Sequence, residues 1–370
     1  MKLLIHDYTP EEFAPLSAQY EGWDVISDDG SIRPCIGCFG CWVKTPGQCV
    51  IRDGYETNAR RLHEAEEVVV CTKWTYGGFS PFVKNVFDRS IGVVLPFFEL
   101  VDGEMHHQRR YEEPIRLNVH FRGSGVDAEK QALSRRYVEA VCRNLQGEIG
   151  EITFEECDLP APKRADDRPV SGTVLLNCSL RGKEANSRAL LKQMNRRLDA
   201  EIGDLVSCSG DYEAMAARLR EAETIVIGTP LYVDGLPSAA LRLLEALARD
   251  PGGKKRIYVV ANLGFYESQQ IRNLLAFVRN WCGECGYTYA GGLAVGAGAM
   301  NAQLLKLTPA KNAVAGLERF ASAILDGRSV NDHYEDSFLF PRAAYVFAAN
   351  RSWIPKGRKN GLSKEDLRRG

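Results

Sequence analysis

Val174-Leu-Leu-Asn-Cys-Ser-Leu-Arg-Gly-Lys-Glu-Ala-Asn-Ser-Arg-Ala-Leu-Leu191 reads as a buried strand, a polar loop and the start of a helix. The apolar run Val174 to Leu176 has the character of a central parallel strand, and Ser187 is a candidate N-cap ahead of Leu190 and Leu191. Between them, Ser179 to Asn186 supplies hydroxyl, amide, guanidinium and glycine groups. A helix that opens directly after a strand turns unpaired N–H groups and its positive dipole end toward the loop, so an anion is favoured there. Taken alone, the stretch reads equally as a phosphate cradle or as an ordinary strand-to-helix turn.

The surrounding elements make the cradle the better reading. A helix near Ser187–Ile202, a helix over Tyr212–Arg220 and a strand over Thr224–Ile227 follow. The loop Thr229-Pro-Leu-Tyr-Val-Asp-Gly-Leu-Pro237 comes next. A helix over Ala239–Ala248, a strand over Ile257–Ala261, the loop Asn262-Leu-Gly-Phe-Tyr266, a helix over Gln269–Cys282 and a strand near Ala290–Val295 complete the series. Alternation of this kind argues for an α/β fold with parallel sheets covered by helices on both faces.

The first half repeats the order. Strands are expected at residues 2–6, Trp23–Ile26, Val68–Cys71, Ile115–Phe121 and Ile149–Phe154, with helices at Glu11–Ser17, Thr57–Ala65, Phe82–Arg89 and Ala128–Leu145. Lys73 to Pro81 parallels Thr229 to Pro237 in place and aromatic content. The loop after the first strand, His6-Asp-Tyr-Thr-Pro10, has no glycine and no serine, so this half lacks a phosphate cradle. An insertion carries His106 and His107, read as a solvated or substrate-lining loop because adjacent histidines do not readily share one metal.

The domain reading is therefore 1–160, a linker at 161–171 with proline and mixed charge, 172–330, and a basic arm at 331–370 bearing Arg342, Arg351, Lys356, Arg358 and Lys359. A length of 370 residues suits two domains. Charge is balanced, with 47 Lys plus Arg against 48 Asp plus Glu, which gives no electrostatic support for a nucleic-acid partner. The run Gly92 to Phe98 is short and broken by Pro96, so no membrane partner is expected, and the N-terminus lacks a signal-peptide core, so a cytoplasmic location is expected. Eleven cysteines then point to reduced thiols or metal ligands rather than a disulfide framework.

Four of those cysteines are clustered: Cys35, Cys38 and Cys41 at intervals of three, then Cys49. Thiolates at this spacing suit a [4Fe-4S] cluster, with Gly37 and Gly40 letting the backbone bend. Zinc would more often use two separated pairs. A cluster, free or oxidised thiols, and zinc all stay open, with the cluster preferred. Cys282 and Cys285 read as incidental.

On these residues the second half resembles the flavodoxin-like NAD(P)H-dependent FMN reductases. Asn177-Cys-Ser179-Leu180-Arg181 with Asn186-Ser187 matches their phosphate loop, Thr229-Pro230-Leu231-Tyr232 their flavin-edge loop, and Asn262-Leu-Gly264-Phe265-Tyr266 the third loop along the isoalloxazine. The cysteine motif is similar to that of the iron-sulfur flavoproteins. The resemblance implies two fused flavodoxin-like three-layer domains forming a pseudo-dimer within one chain, with further homodimerisation open. It also implies FMN in the second domain, a [4Fe-4S] cluster in the first and NAD(P)H as reductant, the cluster facing the flavin across the domain interface. Ser179, Asn186 and Ser187 would hold the phosphate with Arg181, and Leu231, Tyr232, Phe265 and Tyr266 would line the ring. The implied activity is that of an oxidoreductase or electron-transfer flavoprotein passing electrons to a small-molecule or protein acceptor. The alternatives are a cluster-free NAD(P)H-dependent flavin, quinone or nitro reductase, or a non-catalytic redox sensor.

Overall fold

Val68-Val-Val-Cys71 and Ile225-Val-Ile227 are continuous apolar runs whose residues lie between 0 and 7% exposed, as strands covered on both faces require. In the computed structural model, which describes residues 1–160, 162–305, 310–336 and 341–369, each is the third strand in chain order of a wholly parallel sheet. The chain divides into two compact units, Met1–Leu159 with Val346–Gly370, and Pro160–Tyr345.

The first unit holds β1 (Lys2–His6), α1 (Pro10–Phe13), β2 (Asp24–Ser27), α2 (Gly40–Val43), α3 (Asn58–Glu64), β3 (Glu67–Lys73) and α4 (Pro81–Asp88). It continues with β4 (Val94–Val101), β5 (Glu104–Arg109), β6 (Arg116–Gly123), α5 (Ala128–Leu145) and β7 (Glu148–Glu156). Its sheet order is β2-β1-β3-β6-β7. The second unit holds β8 (Thr173–Asn177), α6 (Asn186–Leu198), β9 (Glu201–Asp204), α7 (Tyr212–Arg220), β10 (Thr224–Pro230) and α8 (Ser238–Arg249). After these come β11 (Arg256–Asn262), α9 (Arg272–Cys285), β12 (Thr288–Val295), α10 (Gly298–Gln303), α11 (Lys311–Leu325) and β13 (His333–Glu335). Its order is β13-β12-β11-β10-β8-β9. Counting only the parallel strands within each unit, both sheets contain the order 2-1-3-4-5, which is that of flavodoxin-like folds. The fold is therefore α/β with two such sheets flanked by helices.

Packing follows from strand alternation. In the second unit Leu175, Val226, Tyr258 and Val260 meet Leu190, Leu191 and Met194 of α6 and Leu317 and Phe320 of α11. Leu176, Ile225, Ile227 and Val259 alternate to the opposite face and are equally buried. Gly228 is needed where α6 crosses β10, because a Cβ there would lie 2.5 Å from Leu191 Cδ1.

Several expectations change. The insertion is an antiparallel hairpin, β4–β5, turned by Asp102 and Gly103 at φ 50° and 83°. His106 and His107 lie on it, and His106 is buried and hydrogen-bonded to Asn144 Oδ1 at 2.7 Å, so neither forms a solvated loop. The helix expected to reach Ile202 ends at Leu198, where Asp199 turns left-handed at φ 46° and the chain enters the edge strand β9. The basic arm is not one piece. His333–Glu335 is the edge strand of the second sheet, whereas the helix α12 (Arg342–Arg358) leads into the segment from Val346 that belongs to the first unit. Much of the proposed linker lies along the second unit, with Ala165 N donating to Cys285 O at 2.7 Å and Asp166 N to Gly252 O at 3.0 Å. Ala161 and residues 337–340 of these segments fall outside the described residues. Among the described residues no helix is long and apolar enough to cross a membrane.

Trp281 of α9 is fully buried and donates its indole N–H to Leu244 O at 3.1 Å, joining α9 to α8. Replacing it with Ala should destabilise the second unit by about 3–5 kcal/mol, the cost of a large core cavity. Denaturant unfolding followed by circular dichroism checks this, and a loss below about 1 kcal/mol would contradict the packing described.

Candidate functional site

The loops after β8, β10 and β11 leave neighbouring strands at the same sheet edge, because every pairing in this sheet is parallel. The chain leaves β8 toward β9 on one side and returns to β10 on the other, which makes a topological switch point between β8 and β10. Ser179, Leu180, Arg181, Asn186 and Ser187 belong to the first of these loops and the start of α6. Thr229, Pro230, Leu231 and Tyr232 belong to the second, and Asn262, Gly264, Phe265 and Tyr266 to the third.

The first loop is built around Asn177, which is fully buried. Its Oδ1 accepts from Ser187 Oγ at 2.7 Å and from Ser179 N at 3.4 Å, and its Nδ2 donates to Gly182 O at 3.2 Å and Asp204 Oδ1 at 2.9 Å. The Ser187 hydroxyl proton is thus committed to Asn177, leaving its backbone N–H as the group it can offer a ligand. Ser179 Oγ accepts from Arg181 N at 3.3 Å, so its own proton stays available. The residue ahead of α6 is Ala185, not the expected Ser187, and it gives no side-chain cap. The first intrahelical bond is Ala189 N to Ala185 O at 3.1 Å, so the N–H groups of Asn186, Ser187 and Arg188 have no helical acceptor.

The second and third loops are tied together. Leu231 N donates to Asn262 O at 2.8 Å and Asn262 Nδ2 to Thr229 O at 3.3 Å. Tyr232 and Gly235 exchange two backbone bonds around Val233 and Asp234, which sit at φ 36° and 60°, a tight hairpin turn with left-handed central residues. The first unit has the same device at Thr75 to Gly78, with Tyr76 at φ 57°. Phe265 and Tyr266 are half-buried. Tyr345 Oη donates to Gly264 O at 2.7 Å, and Arg342, expected in the basic arm, pairs with Glu267 at 3.0 Å.

The corresponding edge of the first unit is filled by its own side chains. Asp7 accepts from Lys73 N at 2.8 Å, Thr72 Oγ1 at 3.3 Å and Arg122 Nη2 at 2.9 Å. Arg122 also pairs with Glu12 at 3.2 Å and lies 3.9 Å over the Tyr8 ring. The four-residue α1 is closed by a reciprocal capping box between Thr9 and Glu12. A carboxylate of the chain thus stands where an anionic ligand would need to enter.

Cys35, Cys38, Cys41 and Cys49 line one small cavity of about 20 Å³, together with Asp88 and Arg89. Gly37 at φ 65° and Phe39 at φ 57° reverse the backbone between the first three cysteines. Gly40 N donates to Cys38 Sγ at 3.4 Å and Cys35 N to Asn85 Oδ1 at 3.2 Å. Burial, then the Asp88 carboxylate, pushes the Cys35 thiol up to about 12. Burial raises Cys41 well above the ordinary range, reinforced by Cys35, Cys49 and Cys38, so the four sulfurs act on one another. Among the described residues no group of three or more His, Cys, Asp or Glu side chains is arranged around a single metal ion. Phe39 stacks on Trp42 at 5.2 Å, and Trp353 meets both edge-on at 5.4 and 5.3 Å, with Lys356 4.0 Å over the Trp353 ring. The sequence reading missed Arg89 and Trp353 as parts of this site, because neither lies in a motif with the cysteines.

No family model and no curated protein matches this sequence. Among solved structures, the Trp repressor binding protein from Bacillus subtilis is 18% identical, covering 40% of this chain and 96% of its own, with a TM-score of 0.32. An azoreductase from Bacillus anthracis str. Sterne is 14% identical over 43% of this chain and 100% of its own, with a TM-score of 0.31. An NAD(P)H:quinone oxidoreductase from Methanothermobacter marburgensis is 12% identical over 50% of this chain and 95% of its own, with a TM-score of 0.23.

His107 packs against Trp42 at 4.5 Å and Phe98 at 4.6 Å behind the cysteine loop. Burial lowers its pKa to about 3. It stays neutral in the folded chain, while the unfolded chain takes up a proton below about 6.5. Its contribution to stability is therefore fully present above pH 6.5 and is lost as pH falls from there toward 3, at up to about 1.4 kcal/mol per pH unit. Unfolding free energies at pH 7 and pH 5 should diverge less in His107→Gln than in the wild type, and equal slopes would contradict the assignment.

Proposed function

We propose that this chain is a flavin-dependent oxidoreductase that holds one FMN in the second unit and one [4Fe-4S] cluster in the first, and draws its electrons from NAD(P)H. The observation that carries the FMN site is the uncapped start of α6 beside Ser179 and Arg181, at the switch point between β8 and β10. A phosphate fits this donor set: three amide N–H groups without helical acceptors, a serine hydroxyl with its proton available and an exposed guanidinium. Leu231 and Tyr232, with Phe265 and Tyr266, supply half-buried apolar and aromatic surface for a flat ring, and the bonds through Asn262 hold those two loops at fixed separation. When bound, FMN supplies the hydride and single-electron chemistry, and the protein's part is to hold the ring, exclude water from one side and bring the two substrates to it in turn.

The four-cysteine cavity fits a cluster by donor chemistry. Thiolates are the required ligands, and the amide hydrogen of Gly40 already points at a sulfur, the kind of bond that tunes a cluster. Because burial holds Cys35 and Cys41 protonated as free thiols, loading a metal must release protons. Such a cluster supplies single-electron transfer, directed to a small-molecule or protein acceptor. The filled edge of the first unit, with Asp7 occupying the anion position, supports one flavin per chain rather than two.

A second reading, a cluster-free NAD(P)H-dependent reductase of flavins, quinones or nitro compounds, is favoured by the small volume, about 20 Å³, between the four cysteines. Iron, acid-labile sulfide and flavin per chain after anaerobic purification separate the two. The first reading expects about one FMN with about four iron and four sulfide, the content of one cluster. FMN without iron or sulfide establishes the second. Each hydrogen bond to a charged group is worth about 1.5–3 kcal/mol, so joint replacement of Ser179 and Arg181 by Ala should weaken FMN binding at least about 100-fold. Unchanged affinity in a fluorescence titration would refute the site.

A further inference from the structure

Arg89 follows the last turn of α4, and its side chain is fully buried. Its guanidinium grips Asp53 twice, Nη1 to Oδ2 at 2.5 Å and Nη2 to Oδ1 at 2.9 Å, and donates to Arg33 O at 3.1 Å and Ile51 O at 3.0 Å. These bonds tie together the segments on either side of Cys35 and Cys49. They use only the two terminal nitrogens. The Nε–H is buried and takes no part in these bonds, and the guanidinium is close enough to Cys49, which lines the same cavity, for the two side chains to act on one another. A residue that served only to join loops would not need to turn a buried N–H and its charge toward a sulfur-lined cavity. A cluster bound by Cys35, Cys38, Cys41 and Cys49 would bring further sulfur into that cavity, and sulfur of either the Cys49 thiolate or the cluster accepts such a bond.

We propose that Arg89 is a positioning residue for the cysteine-bound cluster, whose Nε–H and buried positive charge set the potential at which that cluster accepts an electron. The proposal rests on the reading that these four cysteines hold a [4Fe-4S] cluster. In the step concerned one electron enters the cluster and no bond is made or broken. With four thiolates the assembly passes from a net charge of about −2 to about −3, so a buried cation favours the reduced form and a buried anion opposes it. Arg89 and Asp53 are that cation and that anion. Lys84 and Asp88, both buried, form a second pair on the same helix, and Asp88 lines the cavity. Two variants that leave every cysteine in place should therefore move the potential in opposite directions, a result a purely structural role does not produce.

The full-length protein, purified anaerobically, is titrated potentiometrically with dithionite. Reduction is followed by visible absorbance and by electron paramagnetic resonance of the reduced cluster. Arg89→Gln should lower the ratio of reduced to oxidised cluster at a given poise at least about tenfold, a shift of about 59 mV to more negative potential for one electron. Asp53→Asn, which leaves Arg89 without its counter-charge, should shift the potential the other way, and Arg89→Lys should lie closer to the wild type than Arg89→Gln. If Arg89→Gln fails to fold or load, Asp53→Asn alone decides. Loaded variants with the wild-type potential, or shifts of the same sign in Arg89→Gln and Asp53→Asn, would overturn the proposal while leaving the cluster in place. A wild-type protein without iron and sulfide would remove the cluster reading and this proposal together.

Discussion

Two parallel strands cannot be joined by a hairpin; the chain must cross a face of the sheet and re-enter at the same end. Every strand pairing in the two large sheets of this protein is parallel, and much else follows from that. The crossings place helices over the faces, which is why the central strands can be apolar on both sides. They also deliver every strand-to-helix loop to one edge, where helix starts present their N–H groups. Among the described residues the one antiparallel sheet, β4–β5, stands apart from both parallel sheets. A ligand site at the carboxyl edge is thus available twice in this chain, and the difference between the halves lies in what each edge does with it.

The two edges resolve the same electrostatic situation in different ways. In the first unit the chain supplies its own anion: Asp7 takes the N–H of Lys73 and the guanidinium of Arg122, and α1 is capped by Thr9 and Glu12. In the second unit Asn177 and Ser187 satisfy one another beneath the loop, Ala185 leaves α6 uncapped, and Arg181 projects from the surface. One edge is electrostatically complete without a ligand. The other leaves the first N–H groups of α6 without a helical acceptor.

Much of this was legible in the residues. The periodicity predicts α5 and α7 to the residue, because both are amphipathic and open on an aspartate cap, Asp127 and Asp211. The glycine-free His6 to Pro10 loop already argues against a second cradle. What was not legible depends on single backbone choices or distant partners. Nothing in Leu198-Asp199-Ala200 announces a helix stop, since Asp199 adopts a left-handed conformation usually left to glycine or asparagine. Strands as short as β9 and β13 exist because a sheet edge is waiting for them, and β13 is only three residues long. The Asp102-Gly103 pair was a readable hairpin signal, obscured by Pro96 in the strand before it. Arg89 and Trp353 join the cysteine loop through tertiary packing, which no local spacing encodes.

Trp353 closes over Phe39 and Trp42, yet it belongs to a segment that is synthesised after the whole second unit. During translation the cysteine loop therefore emerges early and waits, without its aromatic cover, while an entire α/β unit is made and folds. For that interval Phe39 and Trp42 have each other but not the Trp353 ring. The aromatic packing of the first unit is thus completed only after every residue of the second has been made.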